Sequence, residues 1–417
     1  MSGWVNAELE NLCIIGDGNH SSKYPNQSEM VEYGVPFVRG TNLVDGRISG
    51  DDILYISEEK HQALKKGHLK TGDVLFTNRG EIGKVAIVDE AFNGANLNSQ
   101  IAWLRCQKEL LPKYLFFFLQ SDQMRRHFSQ EKSGAALQQF TIRMLKAVIV
   151  SYPPLPEQKR IVSIVDQAFE GIDRAIANTQ KNLTNARELF ESYLNTVFTQ
   201  RDSVPTVAIG DIGEVFDGPH ATPKTIDSGP IFLGISSLQD GSIKLEKTRH
   251  VSPEDFQRWT RRVKPRTDDI VFSYETRLGQ AAIIPEGLEC CLGRRMGLVR
   301  VDKTQIEPLY FLYLYLSMPF QKFLNKKTVR GATVDRISIK EVPSFSIPLP
   351  DLEEQKSIVS KVDALSVEIQ RLEAIYRQKL AALIELKQSV LQKAFTGELT
   401  ADTANQVTKT AKEVIAA

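Results

Sequence analysis

The stretch that decides the fold is DVLFTNRGEIGKVAIV at residues 73–88, because it returns 196 residues later as DIVFSYETRLGQAAII at residues 269–284. The two copies align without a gap, and their identical residues all lie outside the central tips NRGEI and YETRL. Apolar residues on both sides of each tip predict a strand, a loop and a second strand. A frame that is kept twice around a changed tip predicts two related domains that contact different ligands of one class.

Other matches at nearly the same offset extend the duplication over most of the chain. They are DGNH (17–20) with DGPH (217–220), GVPFVRGTNLVDG (34–46) with GPIFLGISSLQDG (229–241), PKYLFFFLQS (112–121) with PLYFLYLYLS (308–317), SGAALQQFTI (133–142) with RGATVDRISI (330–339), and PLPEQKRIVSIVD (154–166) with PLPDLEEQKSIVSKVD (348–363). A period this long predicts two domains of one fold rather than a solenoid of short repeats.

Each half divides into a globule and a long helix. The globules mix β-type apolar runs with short helical ones and are punctuated by Pro and Gly, which is typical of an α/β or α+β domain. We therefore predict the following segments: N-terminal domain 1–152, first helix 153–200, C-terminal domain 201–347, second helix 348–399 and tail 400–417.

The two helices are predicted over residues 157–199 and 354–396, each after a Pro-rich start. Their apolar residues recur mostly at alternating spacings of 4 and 3, which indicates a coiled-coil seam. Neither helix can bury this stripe alone, so the simplest partner for each is the other. The two helices share 18 of 43 positions, which suits two copies of one partner or a pseudo-twofold scaffold.

Composition excludes several classes of protein. The net charge is +1, with 42% hydrophobic and 25% charged residues, so any binding of phosphate depends on local clusters of charge. The four cysteines form no CxxC pair and are read as free thiols in a reducing cytosol. The longest apolar runs, residues 114–119 and 309–316, are too short to span a bilayer. These features predict a cytoplasmic protein that does not bind membranes.

Four motifs and the end of the second helix match a known family. They are PLPEQKRIVSIVD, PLPDLEEQKSIVSKVD, GDVLFTNRGEIGKVAIV, DDIVFSYETRLGQAAII and the tail VLQKAFTGEL (390–399). On these residues the chain resembles the specificity subunit of type I restriction–modification systems. The resemblance implies two target-recognition domains of α/β (α+β) fold, separated by two long helices that form an antiparallel coiled coil. It also implies that the domains read the two halves of a bipartite, asymmetric sequence in double-stranded DNA.

The same resemblance implies partners and cofactors. Each end of the coiled coil would recruit one methyltransferase subunit, and a separate restriction subunit would supply translocation and cleavage. S-adenosylmethionine, ATP and Mg²⁺ would then belong to those partners, and this chain would hold no cofactor or metal.

The tips carry the first candidates for DNA contact. Asn and Gln suit adenine edges, Arg suits guanine, and Glu accepts from cytosine. The candidates are Asn78, Arg79, Glu81 and Lys84 in one tip and Tyr274, Glu275, Arg277 and Gln280 in the other. The competing interpretation is a solvated hairpin tip that drifted freely.

Two further groups are candidates. A repeated Gly-Ala segment with exchanged polar residues contributes Gln138, Gln139, Arg330, Thr333 and Arg336 as base readers, unless it is a plain helix-entry turn. The repeated Asp-Gly turn contributes His20, Ser22, Lys23, His220, Thr222 and Lys224 as phosphate contacts, unless it is only structural. Basic runs at 261–266, 293–295 and 326–327 are candidates for backbone contact or solvated faces. The aromatic runs at 114–118 and 310–315 are predicted to pack in the core.

No catalytic motif was found in the sequence. It contains no NPPY-type methyltransferase motif, no GxxxxGK[ST] phosphate loop and no HExxH pair. The triplets at 157–159 and 354–356 match the ExK of some nucleases, but both open a long helix. We therefore predict a non-catalytic DNA-binding scaffold. The alternatives are a nuclease–methyltransferase in its own right, a specificity subunit of another methylation-based phage-defence system, and a coiled-coil adaptor that does not bind DNA.

Overall fold

The computed structural model describes residues 3–18, 24–125, 139–199, 204–239, 241–331 and 334–399. They belong to two compact units. The N-terminal unit takes its residues from Met1–Gln180 and Arg377–Ala417, and the C-terminal unit is Lys181–Tyr376. Both units therefore contain a globule and a part of each long helix, so they cut across the predicted helical segments 153–200 and 348–399.

The globule of the N-terminal unit contains short strands and short helices. Its strands are β1 Val5–Glu8, β2 Cys13–Asp17, β3 Met30–Val31, β4 Val35–Val38, β5 Leu43–Val44, β6 Arg47–Ile48, β7 Leu54–Ile56, β8 Val74–Thr77, β9 Val85–Ile87, β10 Asn96–Leu97, β11 Ile101–Cys106 and β12 Ile149–Tyr152. Its helices are α1 Leu9–Leu12, α2 Glu58–Ala63, α3 Pro112–Leu119 and α4 Ile142–Lys146, and the long helix α5 Leu155–Thr199 begins here.

The central sheet of this globule has the order β2-β11-β8-β9 and is antiparallel throughout. Strand β8 is fully buried because one face packs on α3 and the other on a second sheet of order β10-β4-β7-β3. Burial on both faces explains its unbroken apolar run. The strand–loop–strand frame predicted at 73–88 is the hairpin β8–β9, with Phe76 paired to Val85.

The C-terminal unit repeats this plan. Its strands are β13 Thr206–Ala208, β14 Gly213–Asp217, β15 Ile226–Leu233, β16 Leu238–Gln239, β17 Ser242–Ile243, β18 Arg249–His250, β19 Ile270–Ser273, β20 Ala281–Ile283, β21 Cys290–Leu292, β22 Met296–Val301 and β23 Ser346–Pro348. Its helices are α6 Pro253–Trp259, α7 Pro308–Leu316 and α8 Met318–Lys327, and the second long helix α9 Leu352–Phe395 begins here. The sheet β14-β22-β19-β20 matches the central sheet of the other unit strand by strand.

Both long helices begin and end within two residues of the predicted bounds. In the N-terminal unit the first part of α5 packs with the last part of α9, and Lys387 pairs with Asp173. In the C-terminal unit the last part of α5 packs with the first part of α9, and Arg187 Nε lies 2.7 Å from Glu373 Oε1. This pairing is antiparallel, so the predicted fold class is confirmed.

The helices are part of the cores of the globules. In the N-terminal unit Ile161 and Val165 of α5 and Val390 and Ala394 of α9 are buried in one cluster with the aromatic residues of α3. The C-terminal unit repeats this with Leu194 and Phe198 of α5, Ile358 and Val362 of α9, and the aromatic residues of α7. The predicted core role of both aromatic runs is confirmed.

A buried glutamine fastens the start of each helix to its globule. Gln158 Oε1 accepts from the backbone N–H of Leu111, while its Nε2 donates to the carbonyls of Glu109 and Pro153, all at 2.8–2.9 Å. Gln355 makes the corresponding bonds to Glu307, Gln305 and Pro350 in the C-terminal unit. The repeated Glu-Gln-Lys triplet thus places its middle side chain in a structural joint.

All four cysteines are free thiols, as predicted. Burial raises the pKa of the Cys290 and Cys291 thiols to about 12, which leaves them protonated at neutral pH. Among the helices that the structure describes, none combines the length and apolar character needed to cross a membrane.

Candidate nucleic-acid interface

The two hairpin tips are held by equivalent side chains. Thr77 at the end of β8 donates its hydroxyl to the Glu81 carbonyl, and Ser273 at the end of β19 donates to the Glu275 carbonyl at 2.8 Å. The Gly83 N–H also donates to the Thr77 carbonyl at 3.0 Å. A hydroxyl at this position therefore closes both loops while the tip residues differ.

The tips also share an unusual backbone conformation. Gly80 has φ of +70°, and its counterpart Thr276 has φ of +71°. Glycine adopts this region freely, whereas a β-branched residue there is strained. The C-terminal tip thus keeps the same loop path with a residue that is poorly suited to it.

The structure brings the first two groups of candidates together. The backbone of Arg79 bridges to Gln139, and the Phe140 N–H donates to the Asn78 carbonyl at 2.8 Å. In the C-terminal unit, Glu275 bridges to Arg336 and the Ile337 N–H donates to the Tyr274 carbonyl, also at 2.8 Å. In each unit the hairpin tip is therefore joined to the described end of the Gly-Ala segment, residues 139–142 in one unit and 334–339 in the other.

The candidates of these two groups differ in exposure. Glu81, Arg277, Gln139, Arg330 and Arg336 are exposed, and Arg79, Lys84, Glu275 and Gln280 are half-buried. Asn78 and Tyr274, the first residue of each tip, are only 4% and 7% exposed. Gln138 and Thr333 lie outside the described residues.

Contacts within the tips order several of these side chains. Lys84 Nζ lies 2.8 Å from Glu81 Oε2, and Arg295 Nε lies 2.9 Å from Glu275 Oε2. Arg277 reaches the carbonyls of Ile235 and Ser236 at 3.4 Å. The Nε of Arg79 is buried and has no acceptor in the described part of the chain.

The Asp-Gly turn of the C-terminal unit is joined to its tip. The Tyr274 hydroxyl donates to Asp217 Oδ1 at 2.9 Å, and His220 Nε2 lies 3.0 Å from Asp217 Oδ2. Burial, and then the bond to Asp217, raise the pKa of Tyr274, so it stays a neutral donor. Thr222 and Lys224 are exposed. Of the N-terminal turn, His20, Ser22 and Lys23 lie outside the described residues.

A partly buried ion pair joins the start of each hairpin to the neighbouring strand of the central sheet. Arg105 Nε and Nη2 donate to the two oxygens of Asp73, both at 2.7 Å, and Arg300 donates to Asp269 in the same way at 2.9 and 2.7 Å. The hydrogen bond to each aspartate raises the pKa of its arginine. Sequence reasoning noted the repeated aspartate but missed the arginine. The arginines are 195 residues apart and could have been found at the common offset.

The remaining basic runs have mixed surroundings. Arg261, Arg262, Lys326 and Lys327 are exposed, while Arg295 points back to Glu275. Among the described residues, no group of three or more His, Cys, Asp or Glu is arranged to hold a metal ion.

Comparison with known proteins agrees with this architecture. The family model described as "Type I restriction modification DNA specificity domain" matches residues 1–185 and again 202–380. The type I restriction enzyme EcoBI specificity subunit of Escherichia coli is 22% identical over 95% of this chain and 86% of its own length. The putative type I restriction enzyme MjaX specificity subunit of Methanocaldococcus jannaschii is 26% identical over 88% of this chain and 87% of its own.

A solved structure shares the fold. A chain from a study of complex assembly and conformational transition in a type I restriction–modification system superposes with a TM-score of 0.76 at 21% identity, covering 95% of this chain and 98% of that one. With the family model matched twice over most of its length, the chain belongs to the family of specificity subunits of type I restriction–modification systems, the non-catalytic subunits that recognise the DNA sequence.

Proposed function

We propose that each globule reads one half of a bipartite, asymmetric DNA target through the surface formed by its hairpin tip and Gly-Ala segment. The observation that carries this proposal is the contrast between frame and tip. The hydroxyl of Thr77 or Ser273, the partly buried Asp–Arg pair and the backbone bridge recur in both units. The exposed polar side chains that this common frame presents are different, so the two half-sites differ in sequence.

The difference in exposure divides the candidate residues into those that can reach DNA and those that lie inside the fold. Glu81, Arg277, Gln139 and the two arginines of the 330–336 segment are exposed and are the proposed base readers, together with the half-buried Arg79. The Asn78 and Tyr274 side chains lie within the fold, and the backbone of Asn78 and the hydroxyl of Tyr274 hold the two tips. Arg79 and Arg277 are the residues best suited to guanine, because a guanidinium can donate two bonds to its O6 and N7.

The proposed partners are two adenine-N6 methyltransferase subunits and the translocase–nuclease subunits of a type I complex. Because these partners supply the chemistry, S-adenosylmethionine, ATP and Mg²⁺ belong to them, and a flipped adenine enters a methyltransferase pocket rather than this chain. The complex acts on cellular DNA, so the proposed location is the cytoplasm.

The test is adenine methylation mapped by long-read sequencing in cells that carry the gene with its partners. Deleting the gene should abolish one bipartite motif with a modified adenine in each half. Arg79→Ala should relax only one half of the motif and Arg277→Ala only the other, each by about 1–3 kcal/mol of discrimination.

A matched control is Arg47→Ala, which removes an exposed arginine of β6 in the N-terminal globule, away from the tip. That variant should methylate the unchanged motif. Both tip variants methylating the wild-type motif with unchanged preference would contradict the assignment of the tips.

A further inference from the structure

A cationic cleft lies beside the Asp-Gly turn in the N-terminal unit. It has a volume of about 680 Å³ and is lined by five cationic side chains and one carboxylate, Asp17. Three of the cations have carboxylate partners, since Arg105 binds Asp73, Lys66 Nζ lies 3.2 Å from Asp17, and Lys146 Nζ lies 3.9 Å from a glutamate. The side chains of Lys65 and Lys70 have no ion pair among the described residues, so the cleft keeps positive charge.

The C-terminal unit has a cleft in the corresponding place. It measures about 290 Å³ and is lined by three arginines and one carboxylate, Asp217. Arg261 and Arg262 follow Lys65 and Lys66 by the same 196 residues that separate the two hairpin frames. Arg262 Nη1 lies 3.9 Å from Asp217, which repeats the contact between Lys66 and the aspartate of the first turn. Two adjacent cations at an Asp-Gly turn are thus a feature of both domains.

Each cleft also contains a tryptophan, which the two domains supply from different positions. Trp103 comes from β11 and fits because residue 16 is glycine, whose missing Cβ would lie 2.6 Å from the indole. Trp259 comes from the end of α6. The indole Nε1 of each is buried and has no acceptor in the residues that the structure describes. Both clefts therefore combine a dibasic pair with a tryptophan.

These donors suit a phosphate group. Lysine, arginine and indole nitrogens only donate hydrogen bonds, and a phosphodiester offers acceptor oxygens and a negative charge. The position also suits DNA, because the aspartate of each cleft ends a strand of the central sheet on the side where the tip emerges. The N-terminal cleft extends from Asp17 along β2 and β11 to Arg105. In the C-terminal unit the link is direct, since Asp217 accepts the hydroxyl of the tip residue Tyr274. In the N-terminal unit Asp17 ends β2 opposite Ala102, next to the start of β11 that flanks the tip.

We propose that each cleft binds a backbone phosphate of the DNA duplex next to the half-site that the same domain reads, with Lys65 or Arg261 as the cationic donor. This inference rests on the proposed function, and it adds a contact that fixes the register of each domain on the duplex. It should contribute affinity without base preference, because phosphates are the same for every sequence.

The experiment uses the complex of the full chain with its methyltransferase subunits and measures affinity by fluorescence anisotropy. One duplex carries the motif that the wild-type complex methylates in cells, and the other carries a scrambled version of it. The salt concentration is varied from about 50 to 200 mM. The variants are Lys65→Gln, Arg261→Gln and the double change. Lys108→Gln is the control, because Lys108 is also exposed but does not line the cleft.

Each single variant should reduce the slope of log K against log salt by about 0.9, the amount expected for one lost phosphate contact, and the double variant by about twice that. The loss of affinity should be equal on both duplexes, so the preference for the motif stays unchanged. A single neutral methylphosphonate at the contacted position should weaken the wild type but not Lys65→Gln.

Slopes for Lys65→Gln and Arg261→Gln that match Lys108→Gln would overturn the phosphate assignment. So would binding of inorganic phosphate, seen as a change in tryptophan fluorescence that Lys65→Gln removes, if the DNA slope stays unchanged. A wild-type complex that shows no preference for any motif would instead overturn the proposed function, and this is measured before the variants are compared.

Discussion

At the scale of single residues, Thr276 shows most clearly what the C-terminal tip requires. Its φ of +71° copies that of Gly80, although a β-branched residue is strained in this region. Asparagine tolerates the left-handed region better than threonine because its short side chain bonds to nearby backbone groups. We expect Thr276→Asn to raise the free energy of unfolding of the complete chain by about 0.5–1 kcal/mol.

Denaturant unfolding checks this prediction. Thr206→Asn is the control, because Thr206 is an exposed residue in strand β13, where asparagine is unfavourable. That variant should be neutral or less stable. Equal destabilisation by both changes would show that the backbone at Thr276 carries no strain.

The sequence shows which loops differ between the two domains, but it does not show which of their side chains turn inward. Asn78 and Tyr274 are polar residues in variable tips, which favours exposure. The Asn78 N–H donates to the Gln100 carbonyl, and its own carbonyl accepts from Phe140. These two contacts clamp the first tip residue between distant segments. Such pairing depends on the tertiary fold, so no local pattern indicates it.

At the scale of elements, the strongest prediction concerns the glutamine that joins each long helix to its globule. Gln158 is fully buried and bonds three backbone groups from two segments. Gln158→Leu keeps the volume but leaves an N–H and two carbonyls without partners. At about 1 kcal/mol for each lost bond, the variant should lose about 3 kcal/mol of stability.

The measurement is the free energy of unfolding of the purified chain. Gln167→Leu, an exposed position on the same helix, should change it by no more than about 0.5 kcal/mol. Gln355→Leu should repeat the loss in the C-terminal unit. If Gln158→Leu changes the free energy of unfolding only slightly, water replaces the hydrogen bonds of the glutamine, and the side chain does not hold the helix to the globule.

The long helices were predictable because their apolar spacing and their Pro-rich starts are local signals. The sheet order was not, because β11 lies between β2 and β8 although 23 residues or more separate it from either strand along the chain. The proposed functional surface shows the same limit. Its two sequence segments were both identified, while their contact through Arg79 and Gln139 depends on long-range pairing.

At the scale of the whole molecule, the duplication explains more than the fold. The identical positions of the two helices include residues that no packing requires. Lys159, Ser163 and Arg174 of α5 are exposed, and so are their identical counterparts Lys356, Ser360 and Arg371 of α9. Exposed residues outside a functional surface are free to change. A retained face on each helix therefore fits two copies of one partner.

The last prediction follows from these faces. If each face binds one methyltransferase subunit, one chain binds two such subunits. Lys159→Glu with Arg174→Glu should remove one subunit, Lys356→Glu with Arg371→Glu should remove the other, and all four changes together should remove both. Native mass spectrometry of the co-expressed complex reads these stoichiometries directly.

Lys181→Glu with Lys361→Glu is the control, because both residues are exposed on the helices but neither is matched in the other copy. That variant should keep two subunits. Loss of both subunits after changing only one face would show that the partners bind jointly, and the two helix faces would then not act as independent sites.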